Sequence, residues 1–260
     1  MSMNIRGIEI GEGRPKICVP LMGKKKEEIL LLADRLAGTG AELVELRADA
    51  LSYVPDEKEI QDLLRELRGK LKEQVLLFTF RSRQEGGEGQ LSVEAYRGLC
   101  EAVCRSGQAD LLDVEAYRQE GLLEELAGYA HAHGVKVIGS SHEFQRTPPE
   151  TELVKRLWYM DRVGADIPKV AVMPREKKDV LTLMSAVLSY REQGGDKPVI
   201  AMSMGEDGLI SRLAGEWYGS AVTFAAAGQA SAPGQIPHDE VRQILEILHS
   251  HAVKERETVK

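Results

Sequence analysis

Hydrophobic and polar positions follow two alternating patterns along the chain. Short, mostly continuous apolar runs are typical of strands that are buried on both faces. They cover residues 17–21, 42–47, 75–81, 110–115, 136–140, 166–172, 198–204 and 221–226. In the segments between them, apolar residues recur at spacings of three and four, which predicts helices. These cover residues 24–36, 56–67, 93–104, 122–131, 149–163, 177–191, 209–217 and 238–249.

Eight consecutive strand–helix units in 260 residues predict an α/β fold, a (β/α)8 TIM barrel that spans residues 1–260 as a single domain. A doubly wound sheet is the alternative, but no Gly-x-Gly-x-x-Gly sequence follows the first strand. Residues 1–15 are predicted to form an N-terminal hairpin, in which segments 5–10 and 16–19 flank a turn at 11–15. Residues 226–236 are rich in small side chains and are predicted to form a lid loop.

Composition narrows the possible classes of function. Apolar residues make up 43% of the chain and charged residues 29%, which is typical of a soluble globular protein. The net charge of −7 gives no basic footprint for nucleic acid or for an anionic membrane. No apolar run is long enough to span a bilayer, and the N-terminus lacks the apolar stretch of a signal peptide. Three cysteines without a regular framework indicate a reducing compartment, so we expect a cytoplasmic protein.

Polar side chains gather at the predicted carboxyl ends of the strands, where barrel enzymes carry their catalytic groups. They are Glu45, Arg47, Arg81, Asp113, Glu115, His142 and Lys169, with Glu85 in the loop after the third strand. Strand alternation puts Glu45 and Arg47 on one face of the second strand, and Asp113 and Glu115 on one face of the fourth. Each has a structural alternative: ion pairs for the arginines, solvation for Glu85 and a hydrogen-bonded core position for His142.

Lys169 lies within an apolar run, where an ammonium group is costly unless it is paired, hydrated or neutral. A lysine that loses its charge by desolvation is a nucleophile and can form an imine with a ketone. Taken alone, the commoner explanation is a lysine that ends a strand at the surface or pairs with a carboxylate.

Several segments together resemble the type I 3-dehydroquinate dehydratase family over nearly the whole chain. They are Glu45-Leu46-Arg47-Ala48-Asp49, Phe80-Arg81-Ser82, Glu85-Gly86-Gly87-Glu88, Ser141-His142-Glu143-Phe144, Thr147-Pro148, Lys169-Val170-Ala171, Ala201-Met202-Ser203-Met204-Gly205 and Ser231-Ala232-Pro233-Gly234-Gln235. One departure is Glu143, where the family usually has Asp. It adds a methylene beside the predicted base, and we expect little effect.

The resemblance implies dehydration of 3-dehydroquinate to 3-dehydroshikimate and water, the third step of the shikimate pathway. Lys169 would form the Schiff base, and His142 would be the general acid and base, since its reference pKa of about 6.5 lies near working pH. Glu85 would orient His142 and favour its charged form. The substrate would contact Glu45, Arg47, Arg81, Met202, Met204, Arg212, Phe224, Ser231 and Gln235. The resemblance further implies a homodimer that uses no cofactor and no metal.

Two other classes of function stay open. A class I aldolase or transaldolase would also use a lysine on a barrel strand, although no glycine-rich phosphate loop follows strands seven and eight. A non-catalytic barrel could bind a hydroxy acid or form one domain of a larger assembly. The presence of Lys169, His142 and Glu85 together argues against lost catalysis.

Overall fold

Eight parallel strands and the helices between them form a nearly closed (β/α)8 barrel, which confirms the predicted fold. The computed structural model describes residues 2–54, 56–227 and 232–258. Two short strands, β1 (Met3–Ile5) and β2 (Ile8–Ile10), precede the barrel. The barrel strands are β3 (Lys16–Leu21), β4 (Leu43–Arg47), β5 (Val75–Thr79), β6 (Leu111–Glu115), β7 (Lys136–Glu143), β8 (Ile167–Val172), β9 (Ile200–Ser203) and β10 (Val222–Phe224). They pair in chain order, with β10 beside β3, and a bridge between Val199 and Ser220 links the two ends.

The helices follow the predicted periodicity, with one break. They are α1 (Lys26–Leu36), α2 (Glu57–Lys70), α3 (Val93–Ser106), α4 (Leu122–Ala132), α5 (Glu150–Arg162), α6 (Lys177–Glu192), α7 (Leu209–Leu213), α8 (Gly215–Tyr218) and α9 (His238–Thr258). The single helix predicted over 209–217 is wrong, because the chain breaks into α7 and α8. At the break, a side chain on Gly215 would come within 2.7 Å of both Pro15 and the Ser220 carbonyl oxygen.

The N-terminal hairpin exists, but its predicted strands were wrong. Its tight turn is at Arg6 and Gly7, which both have positive φ (53° and 81°), as a type I′ hairpin turn requires. The segment from residue 16 is not part of the hairpin and joins the barrel as β3, in agreement with the barrel strand predicted over 17–21. Ile5 and Ile10 of the hairpin pack with the first inward-facing residues of the barrel strands, so the hairpin closes the amino-terminal end of the barrel.

Apolar side chains fill the barrel interior near the amino-terminal ends of the strands and the layer between strands and helices. Polar side chains occupy the interior near the carboxyl ends of the strands. Strand β7 is longer than predicted and runs through His142, which pairs in register with Ala171. His142 is therefore held within the sheet rather than in a loop beyond it. All three cysteines are free and buried. In the part of the chain that the structure describes, no helix is long and apolar enough to cross a membrane.

Candidate active site

A cavity of about 50 Å³ opens at the carboxyl ends of the barrel strands. Its walls include every residue assigned to the site from sequence except Arg212 and Ser231. The lining residues are Glu45, Arg47, Arg81, Glu85, Gly86, His142, Phe144, Lys169, Ala171, Met202, Met204, Phe224, Ala232 and Gln235. Arg212 lies just behind this wall, and Ser231 lies outside the described residues.

The Lys169 amine points from β8 into this cavity, and only 4% of its side chain is exposed. Its Nζ donates a hydrogen bond to Oδ2 of Asp113 at 3.1 Å. On the other side, Nζ lies 4.6 Å from the centroid of the Phe224 ring. The apolar setting expected from sequence is therefore incomplete, because the amine faces a carboxylate as well as an aromatic ring.

Asp113 is the centre of a buried charge network. Its Oδ1 accepts hydrogen bonds from Nη2 of Arg81 at 2.7 Å and from Oγ of Ser140 at 2.6 Å. Burial opposes ionisation of Asp113, but the adjacent Arg81 and Lys169 outweigh it and hold the pKa of this carboxyl well below its usual range. Asp113 is thus a fixed negative charge next to the lysine amine.

His142 and Glu85 form a hydrogen-bonded pair across the cavity, with 10% and 14% of their side chains exposed. Oε2 of Glu85 lies 2.8 Å from Nδ1 of His142 and accepts a bond from the His142 backbone N–H at 3.2 Å. Burial raises the pKa of Glu85 to about 8. Burial, followed by the charges of Arg81 and Lys169, lowers the pKa of His142 well below 6.5. Desolvation and the charges of Arg81 and Lys169 thus outweigh the negative charge of Asp113, which acts on this pKa in the opposite direction.

Two glycines bring Glu85 to His142. A short turn at Arg83–Glu85 begins at Ser82, whose hydroxyl accepts the Glu85 N–H. Gly86 has a φ of 80°, and a Cβ there would lie 2.2 Å from the Phe144 ring. A Cβ on Gly87 would lie 2.1 Å from the Arg81 carbonyl oxygen. Only glycine fits at either position without displacing the loop that carries Glu85.

Glu45 and Arg47 face the cavity from β4, and each is held by a neighbour. Thr79 donates its hydroxyl to Oε1 of Glu45 at 2.7 Å. Arg47 makes two 2.8 Å bonds to the carboxylate of Asp49, which also accepts the Arg81 backbone N–H. The structural alternative for Arg47 is thus partly correct, because it forms a buried ion pair while still lining the cavity.

Arg212, on α7, is almost completely buried and has few partners. Its Nη2 donates to the Pro233 carbonyl at 2.9 Å, its Nη1 lies 3.7 Å from Sδ of Met202, and its Nε has no partner. Burial lowers the pKa of Arg212 to about 10. Across the described ranges, no carboxylate neutralises this guanidinium. A buried arginine fork with unused donors is suited to a carboxylate ligand.

The sequence assigned no role to Asp113, although alternation along its strand placed it on the cavity face. The sequence alone did not show which cation Asp113 contacts. That depends on strand register: Asp113 aligns with Ile138 of β7, whereas Lys169 of β8 aligns with Ser140. Phe144 also lines the cavity, two residues after His142. Within the described residues, no group of three or more His, Cys, Asp or Glu is arranged to hold a metal ion.

Comparison with protein families gives one match that covers most of the chain. Residues 17–252 match the model of the type I 3-dehydroquinase family. A 3-dehydroquinate dehydratase of Bacillus licheniformis is 47% identical over 247 residues, which is 95% of this chain and 97% of that protein. One from Klebsiella pneumoniae is 45% identical, with coverages of 95% and 98%.

Solved structures show the same similarity. A type I 3-dehydroquinate dehydratase from Clostridium difficile, solved with covalently modified comenic acid, superposes with a TM-score of 0.93 at 44% identity. The alignment covers 96% of this chain and 99% of that one. A 3-dehydroquinate dehydratase from Geobacillus kaustophilus superposes with a TM-score of 0.92 at 39% identity, covering 96% and 97%.

Proposed function

The chain belongs to the type I 3-dehydroquinase family, a family of carbon–oxygen hydro-lyases, and we propose that it dehydrates 3-dehydroquinate through an imine on Lys169. The products would be 3-dehydroshikimate and water, in the third step of the shikimate pathway. The observation that carries the proposal is the buried Lys169 amine, which shares one small cavity with the Glu85–His142 pair.

Imine formation is the first chemical step. The neutral Lys169 amine attacks the C3 carbonyl carbon, and the resulting carbinolamine loses its oxygen as water to give a protonated imine. This iminium withdraws electrons from C2 and so acidifies the C2–H bond. Met202, Met204 and Phe224 line the cavity and would limit the access of bulk water to the imine.

His142 would carry the proton from C2 to the oxygen of the hydroxyl that leaves C1. Its Nδ1 is bound to Glu85, so Nε2 is the ring nitrogen available to remove the C2 proton and form an enamine. As the enamine electrons return, the C1–O bond breaks, and the same Nε2 donates the proton to the departing hydroxyl. Hydrolysis of the new iminium releases 3-dehydroshikimate and restores the lysine.

Substrate binding would combine one anion contact with several hydroxyl contacts. Arg212 supplies the guanidinium for the substrate carboxylate, since its Nε is unused. Glu45, Arg47 and Arg81 would contact hydroxyls. Residues 226–236 would act as the lid of the single domain spanning 1–260, with Gln235 and Ser231 closing over the substrate. In this lid, Gln235 and Ala232 line the cavity.

A homodimer and a cytoplasmic location are part of the same proposal. Leu181, Leu188 and Trp217 are large apolar side chains exposed on the outer helices, with exposures of 64%, 45% and 52%. Such side chains are available for contact with a second copy. The three free cysteines suit a reducing compartment. Light scattering during gel filtration measures the mass and tests the dimer.

A direct assay tests the activity. Purified protein, without added metal or nucleotide, should convert 3-dehydroquinate to the conjugated enone 3-dehydroshikimate, seen as rising ultraviolet absorbance. Lys169→Ala should abolish this rise, because Lys169 is the lysine among the described residues that line the cavity. If the parent protein leaves the absorbance flat, the proposed activity is wrong.

A further inference from the structure

We propose that Asp113 is a further catalytic residue, whose carboxylate holds the resting Lys169 amine by a hydrogen bond and then stabilises the iminium as its counter-ion. The inference rests on the proposed imine chemistry and adds to it a residue that touches the reacting nitrogen. No proton moves to or from Asp113 in this role, so it acts only through its charge and position.

The geometry leaves one carboxylate oxygen for the lysine. Oδ1 of Asp113 is occupied by Arg81 and Ser140, at 2.7 and 2.6 Å, and Oδ2 faces Nζ of Lys169 at 3.1 Å. The Asp113 side chain is 1% exposed, so water screens the interaction little. Because Oδ1 is held at two points, Oδ2 has a fixed position relative to the amine.

Asp113 affects the two chemical states of Nζ in opposite ways. Attack on a ketone requires an amine that is free to approach the carbonyl carbon, and the hydrogen bond from Nζ to Oδ2 of Asp113 opposes that approach. After water is lost, the same nitrogen carries the positive charge of the iminium, which the carboxylate then stabilises. Arg81, also bound to Asp113, keeps the carboxylate ionised in both states. Asp113 therefore lowers the reactivity of the free amine and raises the fraction of enzyme present as iminium.

Glu115 provides a matched control on the same strand. It is also a buried carboxylate, and its Oε1 is paired with Arg81 at 3.3 Å. Its other bonds go to the Ser82 backbone N–H and to Arg118. The described contacts do not join it to Lys169. Glu115→Gln thus removes a charge from the network without removing the counter-ion of the amine.

The test compares Asp113→Asn, Glu115→Gln and the parent protein in two measurements. With substrate and borohydride, Asp113→Asn should yield about tenfold less Lys169 adduct at neutral pH, and kcat should fall about 100-fold, because the iminium has lost its counter-ion. Without substrate, an amine-modifying reagent should label Lys169 several-fold faster in Asp113→Asn than in the parent. Glu115→Gln should leave the labelling rate of Lys169 without substrate within about threefold of the parent, because Glu115 does not contact the amine in the described contacts.

A lower adduct yield together with faster labelling of Lys169 separates the counter-ion role from damage to the fold. A damaged fold would not make the amine more reactive and at the same time reduce the amount of imine. An adduct yield and labelling rate within twofold of the parent in Asp113→Asn would overturn the inference. Failure of the parent itself to form a Lys169 adduct would instead refute the proposed function. If circular dichroism shows that Asp113→Asn is unfolded, Ser140→Ala replaces it. Loss of one Oδ1 bond should then lower the adduct yield about threefold, and no change would overturn the inference.

Discussion

Buried charges at the site are arranged so that most of them neutralise one another. Lys169, Asp113 and Arg81 form one connected group, and Arg47 is paired with Asp49. Among the described site residues, Arg212 differs because it has carbonyl and sulfur contacts but no carboxylate. Such a pattern fits a site that is preorganised for chemistry at the lysine and retains one cation for an anionic substrate group.

At this scale, replacement of Glu85 should change the pH dependence of kcat/KM, which reports the free enzyme. Burial raises the pKa of Glu85 to about 8, so below that pH the Glu85–His142 pair holds an extra proton and Nε2 cannot accept another. The parent rate should therefore rise as the pH approaches about 8. In Glu85→Gln the rise should move to lower pH, because the pKa of buried His142 lies well below 6.5. Loss of an orienting hydrogen bond should lower the maximal rate about tenfold.

Initial rates of the parent and of Glu85→Gln, measured from acidic pH to above a pH of about 8, test this prediction. An acid limb at the same pH in parent and Glu85→Gln would show that the pair does not control the rate.

Replacement of Arg212 by lysine should mainly weaken substrate binding. A lysine keeps the charge but lacks the fork that holds a carboxylate at two points, so KM should rise about 10- to 100-fold with a smaller fall in kcat. Arg65→Lys is the matched control, since Arg65 lies on the surface of α2 and pairs with Asp62. Steady-state kinetics of both variants provide the measurement. A KM for Arg212→Lys within twofold of the parent would exclude it as the carboxylate site.

At the scale of elements, the glycine loop after β5 sets the position of Glu85. In Gly87→Ala the new Cβ would collide with the Arg81 carbonyl, so the loop must shift, and the free energy of unfolding should fall by about 1–3 kcal/mol. The kcat should fall as well, because Glu85 moves away from His142. Gly98→Ala is the control: it lies within α3 with open space around it and should stabilise the protein by about 0.5–1 kcal/mol.

Urea unfolding and kcat, measured for Gly87→Ala and Gly98→Ala, test whether the loop positions Glu85. Full activity in Gly87→Ala would show that the loop does not position Glu85.

The elements themselves were largely predictable from sequence, because buried parallel strands and amphipathic helices leave different periodicities. The residues at which these strands and helices end were harder to predict. Strand β7 continues through the polar segment at His142, since the facing backbone of β8 offers hydrogen bonds that hydropathy does not reveal. At the break between α7 and α8, Gly215 packs against Ser220, which is close in sequence, and against Pro15, which lies near the other end of the chain.

At the scale of the whole molecule, the barrel brings those predicted site residues that the structure describes to one end, and this convergence was predictable from topology alone. The pairing within the site was not. The contact between Lys169 and Asp113 joins residues on strands that are not neighbours, and the lowered pKa of His142 arises from burial and from charges on other strands. Such effects depend on three-dimensional distances and burial that sequence spacing does not give.

The whole molecule also allows a test of metal independence. Because the proposed iminium would withdraw electrons in place of a Lewis acid, dialysis against a chelator should leave kcat within about 1.5-fold of its starting value. Adding back divalent ions after dialysis is the control. A loss of activity that those ions restore would show that the proposed chemistry is incomplete.

The central claim, an imine on Lys169, is tested most directly by reductive trapping. Borohydride added to the protein with 3-dehydroquinate should inactivate it and attach the substrate skeleton covalently. Peptide mass spectrometry should place the attachment at Lys169, and borohydride without substrate should leave the protein unmodified. An adduct on a different lysine, or turnover of substrate without any trapped adduct, would contradict the account.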